Sequence, residues 1–346
     1  MAAISRDLLL RLPKAELHCH LDGSVRAQTL VELAAERDIT LPAHNAAELN
    51  HYMIVRNAKT LEDYLSRFSV TLSVMQDAKA LERIAHELVV DAAHEGIRYI
   101  EIRYSPVLNT QEGLSLDEAV EAPLRGIAAG TFETGTVGRV IVCALRHLEP
   151  AVSSELARLA VAYKHHGVVG FDLAGGERNH PASAHIESFA YARAHDLAVT
   201  VHAGEGDGAD SVRQAVHFCG ANRIGHATRL FEDRFLEQYV NDRRIALEIC
   251  LTSNVQTRAV TSYETHPLRS YFEQGQVVVL NTDNRLMSGV TLTDEFAHAA
   301  TSLGFTLPEL AQVARNGFES AFAPWQERRV MLEAFDRELP GLLAQS

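Results

Sequence analysis

The sequence predicts an α/β architecture, a (β/α)8 barrel of the TIM type with extra helices inserted after strand 1 and at the C-terminal end. Three features carry that expectation: eight short β-rich runs in 346 residues, helical spacing between them, and a polar group closing each run before a loop.

The runs are AELHCH (15–20), RYIEIRYS (98–105), RVIVCALR (139–146), GVVGFDLA (167–174), LAVTVHA (197–203), RIGHA (223–227), IALEICLTS (245–253) and VVVLNTD (277–283). Helical spacing over 183–194 and 210–219 follows the fourth and fifth runs, so strand and helix alternate and the strands are expected to be parallel. A doubly wound open sheet shares this alternation, while a count of eight suits closure. The first and second runs lie about seventy residues apart, with helix-like stretches at 27–36, 61–74 and 78–94. Residues 25–95 therefore read as a helical insertion close to the barrel mouth. The tail beyond Leu307 is helical too, and no linker or low-complexity tract interrupts the chain, so residues 1–346 read as one domain.

Apolar residues make up 47% of the chain, enough for a large core. Its 32 basic and 45 acidic residues give a formal charge of −13, which repels nucleic-acid phosphates and anionic membranes and leaves a small molecule as the expected partner. The N-terminal apolar run is broken by Arg6, Asp7 and Arg11, unlike a secretory signal, and no stretch reaches membrane-span length. Cys19, Cys143, Cys219 and Cys250 form no C-x-x-C pair, so a cytoplasmic protein without a disulfide framework is expected. Oligomeric state is not encoded in any of these features.

Among 17 histidines, roughly one His-x-His arises by chance, so the pair His18 and His20 means little alone. Position changes its weight. In a barrel the carboxyl ends of all strands open on one face, and His18 and His20 close run 1, His202 closes run 5, His226 closes run 6 and Asp283 closes run 8. As i and i+2 residues, His18 and His20 point to the same side of their strand. His18, His20, His202 and Asp283 make an N3O set that suits Zn²⁺ with a position left for water, and suits Mg²⁺ or Ca²⁺ poorly. His226 is open to two uses, as another imidazole ligand or as a base beside that water. Glu205, in the Gly-flanked turn HAGEGDG, is placed to serve as general acid or base.

AELHCHLDGS, DLAGGE, VHAGEG, RIGHA, CLTSNVQT with HPL after it, and LNTDN occur in order from about Ala15 to about Phe322, and together they resemble the adenosine deaminase family. The resemblance implies a metal-dependent amidohydrolase barrel, one catalytic zinc per chain, and hydrolysis of adenosine to inosine and ammonia in purine salvage. It implies His18, His20, His202 and Asp283 as zinc ligands, Glu205 as the proton shuttle at purine N1, and His226 as the residue that orients the attacking water. His20, Asp22, Gly175 and Asn284 would face the substrate, with Gly175 donating its N–H to N3 and Asp22 holding the ribose 5′-hydroxyl. The H-x-E and P-C-x-x-C signature of cytidine-type deaminases is absent.

The family usually carries a second aspartate where this chain has Asn284, thought to donate a hydrogen bond to N7; an amide donates at any pH. Relatives that act on free adenine commonly carry Glu at the position of Asp22, and the shorter side chain favours a nucleoside. Free adenine, a 5′-modified adenosine, a non-deaminating amidohydrolase reaction and a non-catalytic nucleoside binder are the alternative readings.

Overall fold

β1 (Lys14–His20) is buried along its whole length, β4 (Val168–Ala174) everywhere but at the half-buried Val169, and of β2 (Ile97–Tyr104) only Arg98 is exposed. Strands covered on both faces are what a parallel sheet wrapped by helices requires. The computed structural model describes residues 4–55 and 64–344. The remaining strands are β3 (Val137–Leu145), β5 (Ala198–Ala203), β6 (Arg223–His226), β7 (Ala246–Ile249) and β8 (Val278–Leu280). They pair in parallel in sequence order, β1 to β8.

The seam between β8 and β1 closes the barrel with few contacts. Cys19 bridges to Asp283 in parallel; His20 N–H donates to the Asp283 carbonyl at 2.7 Å, and Asp283 N–H to the His18 carbonyl at 3.0 Å. Lower in the seam the Asn281 side chain accepts the Leu17 N–H at 2.8 Å, replacing a ladder bond. An eight-stranded closed barrel is thus the observed form, and the open-sheet alternative falls away.

Two runs are shorter than expected. The seventh, read as 245–253, stops at Ile249 because residues Leu251–Gln256 form a helix whose first amides, Leu251 and Thr252, donate to the Glu295 carboxylate. The eighth, read as 277–283, stops at Leu280, since Thr282 N–H donates to Glu16 Oε1 and Asp283 turns to φ 61°. Helices cover Ala27–Glu36 and Ala78–His94 as expected; of 61–74, Phe68–Val74 is helical and 61–63 lie outside the described residues. A further helix, Ala46–Met53, was not anticipated. The C-terminal helices are Leu307–Ser320 and Trp325–Leu343. Among the described residues no helix is long and apolar enough to cross a membrane.

The barrel interior is built from charges as well as hydrocarbon. Arg103 donates to Asp172 and to Glu248, each at 2.9 Å; Arg223 donates to Glu248 at 2.6 Å and pairs with Glu101. All five are buried. Such a network gives little net stability over an apolar filling but fixes the orientation of whatever it touches.

Candidate active site at the barrel mouth

The strand ends bring the expected groups together. His18, His202, His226 and Asp283 each offer a ligand atom within 4.8 Å of the others. His20 joins them, its Nε2 3.1 Å from His202 Nε2 and 3.3 Å from Asp283 Oδ1. Four imidazoles and a carboxylate therefore converge, one more than the four-group set read from the strands. Gly225 permits this crowding: a Cβ there would lie 3.1 Å from His18 Cε1 and 3.2 Å from His202 Cα. His226 and Asp283 themselves sit at φ 64° and 61°, a region costly for non-glycine residues by about 1–3 kcal/mol and commonest at functional sites.

The outer nitrogens are pinned by the interior charges. His18 Nδ1 lies 2.9 Å from Glu248 Oε2, and His202 Nδ1 lies 3.0 Å from Asp172 Oδ2. Carboxylates behind imidazoles fix the ring and turn the other nitrogen inward, as at many zinc sites. Burial, reinforced by Arg103, pushes His18 down to about 4, so the ring is neutral as a ligand must be. Burial opposes protonation of His202 as well, but Asp172 outweighs it and the net direction is upward. His18 Nε2 is a buried atom with no hydrogen-bond partner, although Asp283 Oδ1 is 3.3 Å away. An orphaned ring nitrogen aimed into an imidazole and carboxylate cluster fits one Zn²⁺.

The cluster opens on a cavity of about 180 Å³ lined by His20, Asp22, Gly175, Glu205, His226 and Asn284, with Tyr64, Leu65 and Phe68 from the segment after β1. No Arg or Lys of the described residues lines it. Glu205 hangs from a turn whose amides donate to the Glu177 carboxylate, while its side chain accepts from Thr257 Oγ1 at 2.9 Å and lies 3.5 Å from His226 Nε2. Burial raises the Glu205 pKa, with Asp283 and Glu177 adding to the effect and His226 opposing it. Asp22 is pushed up to about 7 by burial; its Oδ1, 4.0 Å from His20 Nδ1, has no hydrogen-bond partner, and neither has Asn284 Oδ1. Gly175, at φ 93°, faces the His147 ring.

Sequence reading left out Glu177, Asp172, Glu248, Arg103 and Thr257. The signal for two of them was available: Asp172 and Glu248 are the single charges of otherwise apolar strands, whereas Arg103 shares its strand with Arg98 and Glu101.

The adenosine deaminase family model matches residues 13–338. The chain is 36% identical to an adenosine deaminase of Clostridium acetobutylicum, covering 96% of this chain and 99% of that one. It is 39% identical to a probable adenosine deaminase of Dictyostelium discoideum over 97% of its own length, but spans only 44% of that longer relative. Among solved structures, an adenine deaminase from Arthrobacter aurescens superposes with a TM-score of 0.88 at 26% identity, covering 95% of this chain and 99% of that chain. A likeness that runs from the first strand into the last helix shows that the chain belongs to the adenosine deaminase family, and it is a zinc-dependent hydrolytic deaminase.

Proposed function

We propose that the substrate is a 6-aminopurine nucleoside, and that the enzyme converts adenosine and 2′-deoxyadenosine with water to the inosine products and ammonia, in purine salvage. The observation that carries this reading is Asp22: a buried carboxyl whose Oδ1 has no hydrogen-bond partner, on the same cavity as Glu205, in a lining that has no Arg or Lys among the described residues. A ribose hydroxyl satisfies such an oxygen, whereas the phosphate of AMP would meet no cation among the described lining residues. Residues 1–346 are read as one catalytic unit of the cytoplasm, with 25–95 as its cover.

His18, His20, His202 and Asp283 would hold the zinc, which when bound supplies a water acidic enough to attack at neutral pH. Neutral Glu205 donates its proton to purine N1. That reduces the N1–C6 double bond and makes C6 electrophilic. His226 orients the water oxygen, which adds to C6; of that water's two protons one restores Glu205 and the other passes to the amino group, which leaves as ammonia as the C6–O bond becomes a carbonyl. The Gly175 N–H would hold N3 and the Asn284 amide N7, fixing the ring plane against Glu205.

The test is ammonia release from adenosine, 2′-deoxyadenosine, adenine, AMP and 5′-substituted adenosines. Adenosine is expected to have the highest kcat/KM. Preference for adenine or a 5′-substituted nucleoside would shift the assignment within deaminases, and ester hydrolysis without ammonia would overturn it.

A further inference from the structure

Two segments shared with the family motifs, SNVQT and HPL, do not line the cavity yet are joined by hydrogen bonds that end on His226. The backbone N–H of Leu268 donates to His266 Nδ1 at 3.0 Å. A backbone amide has only one polarity, so Nδ1 is the accepting nitrogen of that ring. Burial lowers His266 to about 3 and keeps it neutral, which places its single proton on Nε2. That Nε2 lies 3.2 Å from Asn254 Oδ1. The carboxamide is thereby set with its oxygen toward His266 and its NH2 toward His226, where Nδ2 lies 2.9 Å from Nδ1. An amide NH2 only donates, so His226 Nδ1 accepts. With Nδ1 accepting, the ring proton belongs to Nε2, the nitrogen facing Glu205 Oε2. Every ring and amide in the series is buried.

We infer that Leu268, His266 and Asn254 form a tautomer relay that holds His226 as an Nε2–H donor toward the reacting centre. Asn254 and His266 are positioning residues that act through His226. An imidazole with its proton on Nε2 and its Nδ1 lone pair occupied has no lone pair for a metal. The relay thus sets His226 apart from the other clustered imidazoles as a hydrogen-bond donor rather than a ligand. The role given to the donated bond rests on the proposed reaction, but the tautomer does not.

Nitrogen NMR of the zinc-loaded protein with labelled histidine reads the tautomer directly. His226 is expected to show a lone-pair nitrogen at Nδ1 and a protonated one at Nε2. Asn254→Asp, which accepts where the amide donates, is expected to place a proton on Nδ1 and to lower kcat by about a hundredfold with KM for adenosine changed less than about threefold. A protonated Nδ1 in the wild type, or an unprotonated one in a folded, zinc-replete Asn254→Asp, overturns the relay; should that variant fail to fold, the wild-type spectrum decides alone. The spectrum is independent of substrate, so failure of the adenosine assignment and failure of the relay are separate results.

Discussion

Glu177 holds the turn that carries Glu205: its carboxylate accepts the N–H of Gly204 at 2.9 Å, of Glu205 at 2.8 Å and of Gly206 at 2.9 Å. Gly204 makes this possible by adopting φ 78°. Hydrogen bonds to a buried charge contribute about 1.5–3 kcal/mol each. Glu177→Ala is therefore expected to lower kcat/KM by at least about tenfold and to speed amide exchange at Gly206, while Glu177→Gln, with one good acceptor oxygen, loses less. Wild-type kinetics in the alanine variant would show that Glu205 does not depend on this grip.

Chelation of the zinc should abolish ammonia release and lower the melting temperature together, because the convergent imidazoles and Asp283 lose the cation that their lone pairs face. Ligand at a thousand times its dissociation constant stabilises by about 4 kcal/mol, so the shift is measurable by calorimetry. Added Zn²⁺ should restore both. An unchanged melting curve and full activity after exhaustive dialysis would remove the metal from the account.

Glu295 gives the fold a pH dependence of definite sign. Burial pushes its pKa up to about 8, against 4.5 for an ordinary Glu, while the Leu251 and Thr252 amides only partly offset the effect. Between those two values the folded state holds a proton that the unfolded chain has released, so this group's contribution to stability is complete below about pH 4.5 and declines as pH rises through about 8. Glu295→Gln should flatten that part of the urea-unfolding profile. An identical slope in both proteins would place the titrating group elsewhere.

Asn284 supplies an amide where a carboxyl is more usual, and its Oδ1 is buried without a partner beside Gly23. Asn284→Asp should stay active while the new carboxyl is protonated and can donate, and should lose activity more steeply than the wild type on the alkaline side. Superimposable pH–rate profiles would mean that position 284 makes no such donation.

The imidazole and carboxylate cluster could be read from the chain because strand ends in a barrel share one face, so His18, His20, His202, His226 and Asp283 had only to fall at run ends to be neighbours. Their supports were less legible. Arg103 meets Asp172 and Glu248 across 69 and 145 residues, and pairing at such separations leaves no local pattern. The first turn of the helix Leu251–Gln256, residues 251–253, looked like strand because the group that caps it is the side chain of Glu295, 44 residues on from Leu251. Ala46–Met53 is different. Asn45 accepts the Glu48 N–H at 2.9 Å, and Asn followed by Glu three residues later was a helix-start signal present in the sequence.

Asp283 belongs both to the metal cluster and to the β8–β1 seam, where its backbone is bonded to His18 and His20. Any laboratory evolution of this scaffold that alters the seam changes catalysis and barrel closure at once, and selection will reject most such variants. Leu65, Phe68 and Leu108 line the same cavity from segments outside the strands. Libraries aimed at new purines should be confined to those three positions, where pocket shape varies without moving the last strand against the first.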